Sequence, residues 1–380
     1  MLNQPGCRAC GGQAGHIVLD LGSQPASDYF PKYDEPGPDP VYPLQMWLCS
    51  RCGLAQLASD PTVAAEPKGV EPEALVRQAA DAIGRVGAAG LLPPGARVAE
   101  YGSPHGGSWL GMLRERGLAE AAGGAEPGGS EEADVIVDCF GLMHAPDQAG
   151  AVAERAARLA PGGVLLLQYH SLDTIVRAGQ WNALRHGHYA YYSATALVPM
   201  LARAGLRPRA AWEFDLYGGT VLLAAGHAGD EQPGEPGSAV RRLLDAEAET
   251  GVRDPTVVSG LQRAMEARAA RLRDWLAAAR AAGQVVVGYG AASRAVALLC
   301  RAEVDGDLLP AVADASPAKR GLRMPGTSIP VISPAEMVER QPDVVLLFVP
   351  DLLAEVRAAY PAIEDRGGQW ANADALPATD

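Results

Sequence analysis

Two pairs of cysteines open the chemistry of this chain. Cys7-Arg8-Ala9-Cys10 and Cys49-Ser50-Arg51-Cys52 are CxxC motifs, each followed by a glycine, Gly11 and Gly53. Glycine allows the tight turn that points both sulfurs of a pair at one ion. Four thiolates from Cys7, Cys10, Cys49 and Cys52 meet the tetrahedral demand of a structural zinc and leave no position for water. A redox reading needs a thioredoxin-like strand and helix around one pair, and the sequence offers none. The stretch between the pairs, rich in proline and aspartate from Pro36 to Pro40, reads as an inserted loop. Cys139 and Cys300 stand alone in apolar patterns and read as small core residues.

Other segments suited to chemistry follow in order. Tyr101-Gly102-Ser103-Pro104-His105-Gly106-Gly107 is a glycine loop after an apolar run, Arg185-His186-Gly187-His188 brings two histidines within three positions, and Gly288-Tyr289-Gly290-Ala291-Ala292-Ser293 is a second glycine loop. Alternating strands and helices must carry them. Glu73 to Gly90 predicts a helix, with apolar positions at Leu75, Ala79, Ile83 and Val86. Strand Arg97–Glu100, helix Trp109–Arg116, strand Asp134–Cys139, helix Ala149–Leu159 and strand Gly163–Gln168 then predict a parallel sheet flanked by helices. Gly226 to Ser238 reads as a linker, and Val240 to Arg280 as a charged helical segment. A second α/β unit follows: strand Val285–Tyr289, helix Ala291–Arg301, strand Leu309–Ala313, strand Val344–Val349 and a last helix from Asp351. The tail after Trp370 is expected to fray. These elements give three parts: residues 1–70, 71–228 and 240–380.

Bulk properties bound the function. The 380 residues carry 32 basic and 45 acidic side chains, a net charge of -13. Such a surface repels phosphate backbones, so nucleic acid is not an expected partner, and a phosphorylated substrate needs a local cationic feature. No apolar run approaches the ~18 residues that span a bilayer. The first residues lack the basic and apolar regions of a signal peptide, so the cytoplasm is the expected compartment and the cysteines are expected as thiols or ligands.

In this order the segments resemble the zinc-containing NDP-sugar C-methyltransferases, the deoxy-ketosugar C-methyltransferases of antibiotic biosynthesis. The likeness covers nearly the whole chain. It rests on Leu19-Asp20-Leu21-Gly22-Ser23-Gln24-Pro25 between the cysteine pairs, Glu100-Tyr101-Gly102-Ser103, His144-Ala145-Pro146-Asp147, and His186-Gly187-His188-Tyr189-Ala190-Tyr191-Tyr192-Ser193. Gly218-Gly219, Gly288 to Ala292, Asp314 with Lys319-Arg320-Gly321, and Pro325 to Pro330 complete it. The resemblance implies an α/β protein with an N-terminal zinc lobe, a central Rossmann-like methyltransferase domain and a C-terminal Rossmann-like domain that binds a sugar nucleotide. It implies a structural zinc, S-adenosylmethionine as methyl donor, and an NDP-linked ketosugar that loses a proton next to its ketone.

The family's base is the second histidine of a Tyr-His-Glu-His stretch, which places the role on His188, with His186, Tyr191 and Tyr192 beside it. A histidine suits the task, because a general base works best with a pKa near the working pH. The donor is expected at Glu100, Gly102, Ser103, Gly106 and Glu126, and the sugar nucleotide at His144, Arg185, Gly290 and Arg294. Departures accompany the likeness. Arg185 and Gly187 replace the family's Tyr and Glu, and Glu126 lies only a few positions before the strand at Asp134, which shortens this region of the sheet. Two alternatives to methyl transfer follow: a donor-independent epimerase, isomerase or lyase using the same base, and a non-catalytic scaffold. The second glycine loop has Ser293 in place of a third glycine and is a weak fingerprint for NAD.

Overall fold

The computed structural model describes residues 5–35, 37–62, 71–102, 107–121, 131–230 and 237–377. Both cysteine pairs adopt the same turn. Gly11 donates its N–H to Cys7 O and Gly53 to Cys49 O, each at 2.9 Å, with glycine φ values of 69° and 78°. Between the turns run β1 (Gly15–Pro25) and β2 (Val41–Cys49), paired antiparallel, and β3 (Ala55–Leu57) follows the second turn. The fourth strand of this sheet, beside β3, comes from far along the chain.

The central layer begins with α1 (Glu73–Ala88), which buries Ala79, Ala82, Ile83 and Val86 at helical spacing. Then come β4 (Arg97–Tyr101), α2 (Leu110–Glu115), the two-residue β5 (Ala119–Glu120) and β6 (Ala133–Cys139). Helix α3 (Gln148–Arg158) starts on Asp147, whose carboxylate accepts from Gly150 N at 3.0 Å. Next are β7 (Leu159–His170), α4 (Leu172–Arg177), β8 (Ala190–Tyr191) and α5 (Ala194–Arg203), then β9 (Leu206–Phe214) and β10 (Thr220–His227). Strand β8 leaves the central layer and pairs with β3, so the N-terminal sheet runs β1-β2-β3-β8.

The central sheet runs β5-β4-β6-β7-β10-β9. Its first four strands are parallel, as expected, but β10 pairs antiparallel with both β7 and β9. This hairpin replaces part of the expected linker, since β10 continues to His227. Arg207, Pro208 and Arg209 hide β9 in the sequence, because charge and proline dilute its apolar pattern. The shortened side of the sheet is β5, two residues long. The chain leaves β4 toward β5 on one side and returns as β6 on the other, which opens a crevice at the carboxyl ends of β4 and β6.

The C-terminal unit opens with α6 (Ser238–Thr250), α7 (Pro255–Val258) and α8 (Gly260–Ala281). The expected charged helix is therefore three helices. Gly251, at φ 80°, ends the first, and Asp254 caps the second ahead of Pro255. An all-parallel sheet of order β13-β12-β11-β14-β15 follows. Its elements in chain order are β11 (Val286–Tyr289), α9 (Ser293–Arg301), β12 (Val312–Ala313), β13 (Val331–Ile332), α10 (Pro334–Glu339), β14 (Val344–Leu347), α11 (Leu353–Ala359), α12 (Ala362–Asp365) and β15 (Gln369–Asn372). Of the tail expected to fray after Trp370, Ala371 and Asn372 belong instead to this last strand, and residues 378–380 lie outside the described residues. The strand pairs with β14, and Ala373 and Leu376 are buried behind it. The turn before it needs glycine: a Cβ on Gly368 would lie 2.7 Å from Pro342 O and 2.9 Å from Ile363 O.

One apolar cluster joins the N-terminal sheet to the C-terminal unit, through Leu21, Leu44, Met46, Trp181, Leu261, Leu272 and Leu346. A second packs Cys7, Cys49 and Cys52 against the central layer. No helix among the described residues is long and apolar enough to cross a membrane.

Candidate active site and zinc centre

The four cysteine sulfurs converge. Cys7 Sγ lies 3.5 Å from Cys52 Sγ and Cys10 Sγ 3.7 Å from Cys49 Sγ, and all four lie within 4.8 Å of one another. A tetrahedron with Zn–S bonds of about 2.3 Å has edges of about 3.8 Å, so the arrangement fits a zinc ion without rearrangement. Cys7, Cys49 and Cys52 are buried, which matches a closed structural site rather than a catalytic one.

Besides its packing against the central layer, the zinc lobe is tied to a cavity by one turn. Residues 185–188 precede β8, and β8 is a strand of the lobe's own sheet. Gly187 has φ 80°, and its N–H donates to Asp60 Oδ2 at 2.5 Å. A glutamate here, as in the family, would be strained, which accounts for the glycine. Asp60 is itself held by Thr62, through N at 2.9 Å and Oγ1 at 2.7 Å. On the other side His144 Nδ1 meets Gly187 O at 2.9 Å, and the His144 and His188 rings stand perpendicular with centroids 4.6 Å apart.

His188, Arg185, Tyr191, Gly290 and Arg294 all line this one cavity of about 330 Å3. The cavity thus collects the expected base, one of its tyrosines and three expected substrate residues. Arg185 Nε donates to His188 Nε2 at 2.7 Å, and Arg185 N donates to Tyr191 Oη at 3.0 Å. Burial pushes the Tyr191 phenol well above its ordinary range, so it acts as a neutral hydroxyl. The other two residues of the expected catalytic group sit elsewhere. His186 is turned away, with Nε2 3.2 Å from Pro43 O and its edge against Tyr42, and burial lowers its pKa. Tyr192 is buried against Gln148, to which its hydroxyl donates. Neither lines the cavity. His144 does not line it either, and acts on it through the turn it holds.

His170 is a cavity residue that the sequence reading missed. Burial, followed by the nearby charge of Arg294, holds it down at about 3, so it is neutral. Its signal was positional: it ends β7, and open α/β sheets bind ligands at the carboxyl ends of their strands.

The crevice between β4 and β6 holds the expected donor residues that are described. Glu100 spends both carboxylate oxygens on the start of α2, accepting from Trp109 N at 2.6 Å and Ser108 Oγ at 2.5 Å. Burial raises its pKa. It therefore anchors the start of α2 to the end of β4. Among the described residues no atom lies within 4 Å of where a Gly102 side chain would begin, so none of them bars a ligand from its backbone. Backbone at the switch point fits a nucleoside cofactor, and Gly102 would help hold it. Ser103, Gly106 and Glu126 lie outside the described residues.

The second glycine loop is closed on itself. Asp314 Oδ2 accepts from Ala291 N and Oδ1 from Ser316 N, both at 2.8 Å, and Lys319 Nζ donates to Ala291 O at 2.8 Å. The acid that would grip an NAD ribose is committed to the loop, and Gly290 (φ 92°) turns the chain into α9. Arg294 and Lys319 bring positive charge to the cavity.

A zinc lobe bound to a methyltransferase sheet and closed by a second α/β sheet defines a zinc-bearing methyltransferase. Three family models match in the same order: a zinc binding domain over residues 7–63, a methyltransferase domain over 73–211 and a C-methyltransferase C-terminal domain over 215–373. The chain is 26% identical over 401 residues to the C-methyltransferase NovU of Streptomyces niveus, covering 96% of this chain and 94% of NovU. Its three domains in this order, and its likeness to NovU over nearly the whole length, are those of a divergent zinc-binding C-methyltransferase that depends on S-adenosylmethionine. Solved structures align only loosely. Magnesium protoporphyrin IX methyltransferase (ChlM) of Synechocystis PCC 6803 is 11% identical over 43% of this chain and 90% of its own, with a TM-score of 0.32. N-methyltransferase NodS of Bradyrhizobium japonicum is 15% identical over 40% and 88%, with a TM-score of 0.29. At such scores these two add nothing to the assignment.

Proposed function

We propose that the cavity takes an NDP-linked deoxy-ketosugar and that His188 removes the proton next to its ketone. The observation that carries this reading is the shared cavity of His188, Arg185, Gly290 and Arg294. A diphosphate needs local cations in a chain of net charge -13. Arg294, Lys319 and the start of α9 supply them. The base lines the same cavity. Arg185 donates to the Nε2 lone pair that the base needs. A substrate oxygen that takes over this hydrogen bond frees Nε2 to accept the proton and leaves the guanidinium facing the enolate oxygen, where charge develops. Tyr191 fixes the Arg185 backbone during the exchange. Bound S-adenosylmethionine supplies an electrophilic methyl group to the carbanion. The same reading places the enzyme in the cytoplasm, in deoxysugar assembly for an antibiotic.

Solvent deuterium exchange into a ketosugar nucleotide tests the first step. Loss of a positioned base costs ~100- to 10,000-fold. His188→Ala should slow exchange on that scale with sugar-nucleotide affinity nearly intact. His186→Ala should cost less, because its ring lies outside the cavity. Full exchange in the His188 variant removes His188 from the mechanism.

A further inference from the structure

Two cavity residues hold backbone conformations that side chains rarely adopt. Phe140 has φ 61° and Tyr217 has φ 55°. For bulky residues this is an outlier, and such strain gathers where ligands are gripped. Phe140 follows β6 and Tyr217 lies in the turn before β10. Their rings nevertheless meet edge to face, with centroids 5.8 Å apart at 67°, and both line the cavity. Neighbours hold both backbones. Phe140 N donates to Gln168 O at 3.0 Å, Tyr217 O accepts from Gln180 Nε2 at 3.3 Å, and Asp351 accepts the Tyr217 N–H. The Arg294 guanidinium stands over the Tyr217 ring, 5.3 Å from its centroid.

The position of Phe140 gives the pair its meaning. The next residue, Gly141, lies so close to β4 that a Cβ would meet Tyr101 O at 2.9 Å and Gly102 O at 3.2 Å. Phe140 therefore stands where the crevice at Gly102 meets the cavity of His188. We propose that Phe140 and Tyr217 form the partition across which the methyl group passes, setting the acceptor carbon toward Gly102 and keeping water off the enolate. This rests on the reading of the cavity as a ketosugar site. His188 takes the α-proton, the electron pair left on carbon closes on the methyl carbon, and the old methyl–sulfur pair stays with sulfur. Where water reaches the carbanion first, a solvent proton returns and the substrate is recovered labelled. The pair thus governs the fate of the carbanion.

The test uses full-length, zinc-loaded protein in D2O with a thymidine diphosphate-linked ketodeoxyhexose. Deuterium entering recovered substrate is followed without methyl donor, and methylated product is followed with it. A misplacement of about 1 Å costs ~100-fold in a transfer step. Phe140→Ala and Tyr217→Ala should raise the ratio of exchange to methylation at least ~10-fold, about a decade below that figure. Phe140→Gly and Tyr217→Gly suit a left-handed backbone and should act alike with the turns preserved. Tyr217→Phe, which keeps the ring, should move the ratio back toward that of the unaltered protein. Parallel losses of exchange and methylation, an unmoved ratio, or a Tyr217→Phe variant as poor as Tyr217→Ala would each overturn the proposal. An unaltered protein that exchanges no proton would instead remove the ketosugar reading, and the partition with it.

Discussion

Asp60 belongs to the zinc lobe, yet its carboxylate holds the turn that carries the proposed base. Asp60→Ala removes the acceptor of the Gly187 N–H, a bond of 2.5 Å, and releases Thr62 as well. A hydrogen bond to a charged group contributes about 1.5–3 kcal/mol. Asp60 is half-buried, so the lower end applies, about 1.5 kcal/mol and a fall of about 2 °C in Tm for a chain of this length. The larger effect should fall on catalysis. Gly187 sits between Arg185 and His188, and without its anchor the turn can drift by a fraction of an ångström. We expect deuterium exchange to slow by ~10- to 100-fold. Zinc content should not change. Asp60→Asn, which keeps one carbonyl acceptor, should fall between. Differential scanning calorimetry, metal analysis and exchange read the three quantities separately. An Asp60→Ala protein that melts lower but exchanges at the original rate would show that β3–β8 pairing and His144 hold the turn without Asp60, and that Asp60 does not couple the zinc lobe to the base.

Two further outcomes are expected. Elemental analysis should find about one zinc per chain, and Cys7→Ser or Cys49→Ser should lower both melting temperature and exchange rate, because metal binding is coupled to folding of the lobe that pairs with β8; metal-free protein that melts unchanged would refute the four-cysteine site. His170 is held at about 3 in the folded chain, against 6.5 for the ordinary group. The unfolded chain alone gains this proton in that window, so stability should fall with acid below pH ~6.5 by up to about 1.4 kcal/mol per pH unit. His170→Asn should flatten that slope in denaturant titrations, and an unchanged slope would mean that His170 is protonated in the fold.

The legible parts of this chain were those with strong local signals. The cysteine turns carry their own glycines, and the helix at Glu73 and the strand at Asp134 show unbroken periodicity. The β9–β10 hairpin was harder, since Arg207, Pro208 and Arg209 break the apolar pattern of β9 and the tertiary sheet overrides it. The last strand was missed because Gln369 and Trp370 at the end of a chain look solvent-bound, and only β14 beside them shows otherwise. Within the site, His188 stood out by its motif. His186 was placed beside the base in the expected catalytic group, but the φ of 80° at Gly187 separates the two rings, which spacing alone does not reveal. His170, Phe140 and Tyr217 have no motif. Their roles arise where three separate strand ends meet.

The pairing of β3 with β8 has a practical consequence for building hybrid enzymes. A crossover placed after the zinc lobe, near residue 62, looks natural from the sequence, yet it would separate Ala55 and Gln56 from their strand partners Tyr191 and Ala190. It would also part Asp60 from Gly187. A donor lobe from a relative would then have to match a strand and a turn supplied by the recipient. Swaps that carry residues 185–191 along with the lobe keep both junctions intact, so the exchangeable unit is discontinuous in sequence.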